Sequence, residues 1–466
     1  MTTKPPELIR GLGFWSATAM VVGSMIGTGI FLVPSEMAIA AGSVEIIFAA
    51  WVVGGLLTLF GAFALAEMGS ALPVAGGPYV YLKRAFGPSV GFLYGWTLTM
   101  VERPASLATI AAGLLRFATF LMPVLAVPLF TWEFPLPFQT ELHEFRFTPA
   151  QPLAVVVVLL VTAINYAGVR LGGRVQVVLT AVKVMALLAV VAIGFAVAMD
   201  GAPASTAGGP VTSPPVGSVG GLSGFLVALV AALWAYDGWT AVSLVGSEVT
   251  NPRKNISRAL VAGVLVVASI YLLANVAYFS VLSLEGVAQS PSVASDVVER
   301  FSGDGTAQWL TLAMIISALG TLNSSTLSGA RVPYAMARDG LFFRFAADVH
   351  RRFRTPGRAL WFQGCLGSLF ALTGTFSELF SLVIFSAWII YGLTVAALFR
   401  LRHREPALDR PYRAWGYPWA QALFVIGALA LTVNLWLELP VRSSIGLLLI
   451  FSGLLFYRRW RRSGAE

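Results

Sequence analysis

The sequence predicts an all-α polytopic membrane protein of about twelve transmembrane helices, arranged as two inverted five-helix repeats followed by two further helices. Three observations carry this. Of the 466 residues, 57% are apolar and only 11% charged, against about 25% charged in an ordinary soluble protein, so no water-facing surface can be built from them. Mean hydropathy is +0.79, which sets apolar residues against lipid as well as against the core. The basic residues recur in short clusters between apolar stretches. A soluble enzyme, a disordered chain and a coiled coil are excluded.

Stretches long enough to cross about 30 Å of hydrocarbon as helices run over 13–40, 44–72, 86–120, 152–167, 172–199 and 222–246. A second set covers 256–284, 307–337, 359–374, 379–401, 415–439 and 443–457, the fourth and ninth spans being the shortest. With the N-terminus in the cytoplasm, about 24 of the 31 basic residues fall inside, among them Lys4, Arg10, Lys83, Arg84, Arg253 and Lys254. An even number of spans then returns the C-terminus to the cytoplasm. The net charge of +9 is accordingly a topology signal and not a nucleic-acid footprint. The single Cys365 excludes an intrachain disulfide and a Cys-rich metal site, and the first apolar segment runs past any small-residue cleavage pattern.

Residues 200–221, rich in Gly, Pro, Ser and Thr, read as a flexible outer connector between two halves. The stretch 285–304 reads as a short surface helix over the outer mouth. The glycine-interrupted centres near Gly27 and Asp237 are offset by about 210 residues, and neighbouring pairs of spans keep a similar offset. Five spans per unit is odd, so the second unit runs upside down relative to the first. The repeats are 13–199 and 222–401, with 415–457 holding the last two spans. Inverted repeats with paired helix breaks point to a transporter whose site lies between the breaks.

Gly23, Gly27 and Gly29 fall within seven positions of a span that must otherwise stay helical in lipid. Unwound backbone at membrane depth is tolerated where it lines a cavity or meets a ligand. The N–H groups near Gly27, Thr28 and Gly29 would then open a second half-helix whose positive end suits a carboxylate. Tight helix packing through small residues is the competing reading. In the sixth span Trp234-Ala235-Tyr236-Asp237-Gly238-Trp239 sets an acid and a glycine among aromatics. An intramembrane Asp costs several kcal/mol unless paired or hydrated, so Asp237 either touches substrate or is held in a structural pair or cap. Carbonyls freed here and near Met25 could accept an ammonium group.

Lys183 stands mid-span, where its ammonium can bond open carbonyls of the first helix in place of sodium; snorkelling is the alternative. Glu102 and Arg103 precede Pro104 and, being adjacent, are expected to point to different sides and to find partners elsewhere. Arg331 is placed near the cytoplasmic end, with a structural or gating role.

Gly76-Gly77-Pro78-Tyr79-Val80-Tyr81, Phe86-Gly87-Pro88 with Gly91-Phe92-Leu93-Tyr94-Gly95-Trp96, the Trp234 to Trp239 run followed by Glu248 and Asn251-Pro252-Arg253-Lys254-Asn255, and Ala337-Arg338-Asp339-Gly340 together resemble the L-type amino acid transporter family. That family belongs to the amino acid, polyamine and organocation superfamily. The resemblance runs from the first span through the tenth. It implies a LeuT-type fold with helices 1 and 6 broken, and obligatory sodium-independent exchange of neutral amino acids, with cationic ones left open, and with no cofactor. It assigns substrate contact to Met25, Ile26, Gly27, Thr28, Gly29, Trp234, Ala235 and Asp237, with the carboxylate on the backbone at 27–29 and the amino group on carbonyls near Met25 and Trp234. Trp234 would also close over bound substrate. Lys183 matches the family's fifth-helix lysine and Tyr271 a seventh-helix tyrosine that works with it, while Asp237 resembles the acid of members that accept cationic substrates.

One departure stands out. Animal members pair with a single-pass glycoprotein through a loop cysteine, and residues 121–150 contain none, so this chain is expected to work without that partner, as a bacterial inner-membrane protein would. A proton-coupled symporter with Asp237 or Lys183 as proton carrier is the alternative. A membrane-embedded enzyme fits worse, because His143, His350 and His403 lie between spans and HExxH does not occur. A channel fits worse too, since paired breaks favour a gated site over a continuous pore.

Overall fold

The structure, a computed structural model, describes residues 7–135, 142–199, 219–302, 307–373, 376–438 and 440–463. The chain enters through α1 (Phe14–Met25) and α2 (Gly29–Ala41), then α3 (Val44–Ala71), short α4 (Pro78–Phe86) and α5 (Pro88–Thr97). A π-helical turn at Leu98–Glu102 leads into α6 (Arg103–Leu121). After β1 (Phe130–Pro135) and β2 (Leu142–Phe147) come α7 (Ala150–Tyr166), α8 (Val169–Met199), α9 (Gly221–Ala235) and a four-residue α10 (Ala241–Leu244). The remainder is α11 (Pro252–Val281), α12 (Leu284–Gln289), α13 (Val293–Ser302), α14 (Ala307–Gly329), α15 (Arg331–Arg338), α16 (Gly357–Thr373), α17 (Phe376–Arg404), α18 (Trp419–Glu438) and α19 (Pro440–Ser463).

Among the described residues, eight helices are long and apolar enough to cross a membrane, counting Phe14–Ala41, Pro88–Leu121 and Gln308–Arg338 each as one. α7 and α9 are apolar but shorter. This is the polytopic helical membrane architecture that the composition requires. Residues 200–218, most of the expected connector, and Lys4 lie outside the described residues. In the stretch expected to form a surface helix, α12 and α13 form two, and α13 packs down through fully buried Val293, Ala294 and Val297.

The hairpin of β1 and β2 pairs Phe130 with Phe147 and Trp132 with Phe145. The alternation of aromatic residues in both segments is its sequence signal.

Packing sets the site at the centre. α1 lies against α8, α11 and α14, α2 against α9, and α3 along α11 and α9. α14 packs on α6, which bears the π turn, while α17 pairs with α18. At one end of the bundle Glu67 is locked by Arg402, whose Nε and Nη2 donate to Oε1 and Oε2 at 2.9 and 2.5 Å, and by the Ala414 amide at 2.6 Å. That tie joins α3 to the end of α17 and the segment after it.

Two motif segments meet as well. Tyr79 donates to Asp339 Oδ2 at 2.7 Å and Lys83 pairs with the same oxygen at 2.6 Å, which draws α4 to the end of α15. Burial and the Asp339 acceptor both push the Tyr79 hydroxyl up, so it remains a donor.

Candidate functional site

The site begins where α1 stops. Ile26, Gly27 and Thr28 leave the helix after Met25, and α2 restarts at Gly29 with Thr28 as its first cap. Such an interruption strips carbonyls and amides of their helical partners, and α8, α11 and α14 send side chains to the carbonyls. Lys183 Nζ donates to Gly23 O at 2.8 Å and Ile26 O at 2.5 Å, and lies 3.2 Å from Thr321 Oγ1. Thr321 Oγ1 lies 3.1 Å from Gly23 O and 3.2 Å from Ile26 O. Ser317 Oγ reaches Ile26 O at 3.2 Å and Gly27 O at 3.3 Å. Tyr271 Oη lies 2.8 Å from Met25 O and 3.0 Å from Ala235 O, so one hydroxyl spans the ends of α1 and α9.

The amides are treated differently. Among the described residues no backbone hydrogen bond takes up the Gly27 and Thr28 N–H groups. Carbonyls capped by side chains and amides left open give this bend a net preference for an anion.

At the second interruption, α9 ends at Ala235 and turns run to α10. Gly238 adopts φ +102°, and a Cβ there would meet Ser24 Cβ at 2.7 Å. A Cβ on Gly29 would lie 2.9 Å from Ala235 Cα, so the two interruptions touch through glycine backbone. Trp234 Cζ3 sits 3.5 Å from the same position. The carbonyl expected to take an amino group, Trp234 O, already accepts from the Asp237 amide at 3.0 Å. Met25 O, expected to share that role, and Ala235 O likewise each accept from Tyr271, and the second lone pair of a carbonyl oxygen leaves all three able to take an ammonium.

A cavity of about 60 Å³ opens between these elements, lined by Met25, Gly27, Thr28, Gly29, Trp234, Ala235 and Asp237 among others. It therefore gathers seven of the eight residues named for substrate contact. Ile26 stands outside the lining and is fully buried, its carbonyl turned to Lys183. Lys183, 1% exposed, and Tyr271, fully buried, sit behind the wall and brace it.

Arg103, Ser106, Thr109, Thr321 and Ser325 also line the cavity. None of the five is among the residues expected from the sequence to contact substrate. A signal existed: Ser317, Thr321, Ser324, Ser325 and Ser328 recur at helical spacing in α14, a polar stripe that turns toward α1. Ser324 Oγ donates to Met20 O at 3.2 Å. Beyond the stripe, Asn165 donates to Asn323 Oδ1 at 2.9 Å and Asn323 to Gln176 Oε1 at 2.8 Å, while Gln176 and Thr180 reach Ala19 O at 3.2 and 3.0 Å.

One expectation changes. Glu102 and Arg103 do not diverge to separate partners: Arg103 Nη2 remains 3.9 Å from Glu102 Oε1, both residues are buried, and Glu102 Oε2 and Arg103 Nε have no hydrogen bond among the described residues. The π turn that ends at Glu102 alters the angular step there, and both side chains are long enough to reach back. Arg331, the first residue of α15, has an acidic partner. Its Nε and Nη2 donate to Glu248 Oε1 and Oε2 at 2.7 and 2.9 Å, and both side chains are fully buried.

Asp237 has a protein partner. Tyr391 of α17 donates to its Oδ1 at 2.5 Å, and the Tyr391 ring packs on Trp239 with centroids 5.4 Å apart.

Comparison with known proteins identifies the family. Residues 12–457 match the amino acid permease family. The b(0,+)-type amino acid transporter 1 of Rattus norvegicus is 30% identical over 97% of this chain and 88% of its own length. The large neutral amino acids transporter small subunit 2 of Mus musculus is 32% identical over 97% of this chain and 81% of its own. The serine/threonine exchanger SteT of Bacillus subtilis is 29% identical over 97% of this chain and 99% of its own. With the match to one family spanning nearly every described helix, the chain belongs to the amino acid permease family and, within it, groups with the L-type transporters.

Proposed function

We propose that this protein is a sodium-independent exchanger of neutral and cationic L-amino acids that works by alternating access. One observation carries the reading: Lys183 places its ammonium on the Gly23 and Ile26 carbonyls, where a transporter driven by sodium would hold the ion. A fixed cation there removes the coupling ion and leaves the substrate as the only mobile ligand of the bend. The relatives named above as amino acid transporters and as an exchanger support the same class.

In this reading α1 and α2 are halves of one broken first helix, and α9 and α10 halves of a broken sixth. Residues 13–199 and 222–401 form the inverted repeats of a twelve-helix LeuT-type fold, with 200–221 joining them and 415–457 adding the last two spans. Both termini face the cytoplasm of a plasma membrane, which the clustering of Lys and Arg supports. The sequence has no cysteine in 121–150, and its one cysteine, Cys365, lies in α16, which fits a bacterial inner-membrane protein with no disulfide-linked subunit.

The substrate carboxylate takes the amides at Gly27, Thr28 and Gly29, and its ammonium takes the carbonyls of Met25 and Ala235. Trp234 closes over it. Tyr271, which touches both carbonyls, registers whether the two interruptions are bridged, and Asp237 faces the substrate side chain.

Counterflow in proteoliposomes tests this. Uptake of a labelled amino acid should require unlabelled amino acid inside and should ignore sodium. Accumulation driven by a sodium or pH gradient into empty vesicles would replace exchange with symport.

A further inference from the structure

Away from the central cavity, a groove of about 560 Å³ runs between the end of α17 and the start of α18, beside Phe86, the last residue of α4. Ala396, Phe399, Arg400 and His403 follow the spacing of one helix face on α17, and Ala422 and Ile426 do so on α18. Alanine on both walls leaves the space open. The groove changes character within about one turn, because Ala396, Phe399 and Ile426 are apolar while Arg400 and His403 stand toward the α17 terminus. Ile426 is 62% exposed and Leu423 and Leu429 beside it are exposed as well, on a helix apolar enough to cross a membrane. The apolar part of the groove therefore opens on lipid chains and not on water.

Arg400 is held in place and only partly used. Its Nε donates to Ala85 O at 3.0 Å and its guanidinium lies 5.8 Å from the centre of the Phe86 ring, while among the described residues Nη1 and Nη2 take no acceptor. The acids at this end of the bundle are already matched: Glu405 with Arg84 at 2.6 Å, Glu67 with Arg402 at 2.5 Å, and Asp409 with Arg253. Among the described residues no acid lines the groove itself. What remains is an apolar trough with a fixed positive end.

We propose that this groove binds an anionic phospholipid, with its phosphate on the Arg400 guanidinium beside His403 and an acyl chain along Ala396, Phe399 and Ile426. The two open N–H groups of a planar guanidinium match one phosphate. A soluble anion would leave the trough unfilled, and the cation of a zwitterionic headgroup would meet Arg400 and His403 with no acid to receive it. In the orientation proposed above, this end lies at the cytoplasmic leaflet, where basic pockets between spans take anionic headgroups. The same arginine joins α17 to α4 through Ala85, so the bound lipid fastens those two helices. The site is separate from the substrate cavity and does not depend on the exchanger reading.

Native mass spectrometry of the delipidated full chain in detergent tests this, with dioleoylphosphatidylglycerol, dioleoylphosphatidylcholine and glycerol 1-phosphate titrated in turn. Phosphatidylglycerol should bind saturably and about fivefold more tightly than phosphatidylcholine, the effect of a single basic residue near the membrane surface. Glycerol phosphate at the same concentration should not displace it. Arg400→Gln keeps a donor for Ala85 O and should bring the two lipids to within about twofold of each other. Ala422→Trp fills the trough, keeps the charge and should weaken both lipids; it carries the test if Arg400→Gln does not fold. Arg351→Gln, between α15 and α16, should change nothing. Equal binding of the two lipids by the wild type, or a loss in Arg351→Gln as large as in Arg400→Gln, would reduce the effect to general surface charge and overturn the site. Displacement by glycerol phosphate would make it a site for a soluble anion, and an Ala422→Trp variant that binds as the wild type does would place the lipid elsewhere; each likewise overturns the proposal.

Discussion

The Tyr391 hydroxyl donates to Asp237 Oδ1 across 2.5 Å and so ties α17 to the turn that follows α9. An acid in the membrane interior is thereby partnered before any substrate arrives, and one of its oxygens is committed to the protein. Asp237→Asn retains an acceptor for Tyr391 and removes the charge. Binding of arginine or lysine should weaken by roughly ten- to a hundredfold, the value of a charge-assisted hydrogen bond, while alanine and serine change by less than about threefold. Equal losses for both classes, measured by equilibrium binding, would leave Asp237 with the Tyr391 tie alone.

Lys183 contributes two charge-assisted bonds to the bend, each worth about 1.5–3 kcal/mol. Lys183→Ala should insert and remain monodisperse, since the lysine braces local backbone at one place, but should exchange at a few per cent of the wild-type rate. Thr321→Val removes only a neutral hydroxyl from the same carbonyls and should cost about 1 kcal/mol of substrate affinity. Proteoliposome exchange and a binding titration on both variants separate these. A Thr321→Val defect as deep as that of Lys183→Ala would mean that geometry and not charge matters at the bend.

What the sequence made legible follows from how each feature is encoded. Gly27, Gly29 and the Asp237-Gly238 pair announce themselves locally, because glycine density and a lone acid are unusual at membrane depth. The pairing of Arg331 with Glu248 or of Tyr391 with Asp237 joins residues 83 and 154 positions apart, and no local pattern records such a partner. Lys183 stood out as a buried charge, yet its partners, Gly23 and Ile26, are backbone atoms and carry no residue signature. Thr321 and Ser317 went unread for a third reason: hydroxyls in apolar helices usually bond their own helix, as Thr162 and Thr394 do.

The contact between the two interruptions is made by Gly29 and Gly238. Gly238→Ala adds a Cβ that meets Ser24 Cβ at 2.7 Å and its backbone at 2.8 Å, on a residue with φ +102°. Strain from the φ alone is about 1–3 kcal/mol, so the variant should melt several degrees lower and lose substrate binding. Gly29→Ala presses Ala235 Cα at 2.9 Å, whereas Gly27→Ala meets the movable Thr321 Oγ1 at 3.1 Å. Substrate affinity should therefore fall in the order Gly29→Ala more than Gly27→Ala. The reverse order in a binding assay would show that the amides at Gly27, and not close approach of the two turns, limit the site.

Arg331 and Glu248 form a doubly hydrogen-bonded ion pair with no exposed surface on either side chain. Arg331 Nη1 also donates to Leu327 O, and the Glu248 carbonyl accepts the Gly11 and Leu12 amides at 2.9 and 3.0 Å. The pair thus pins the segment before α1, the segment after α10 and the junction of α14 with α15 to one point. Removing one partner leaves a buried charge uncompensated, which costs about 3–5 kcal/mol, whereas replacing both with apolar groups is often neutral for stability. Glu248→Gln and Arg331→Met singly should lower the melting temperature of the purified protein markedly, and the Glu248→Met/Arg331→Met double variant should recover most of that loss. Exchange discriminates further: if the pair also holds one state of the alternating cycle, the stable double variant should still exchange slowly, because the segment before α1 is no longer fixed. A double variant that is both stable and fully active would restrict the pair to folding, and one as unstable as the singles would show that shape, and not charge balance, is what the pair supplies.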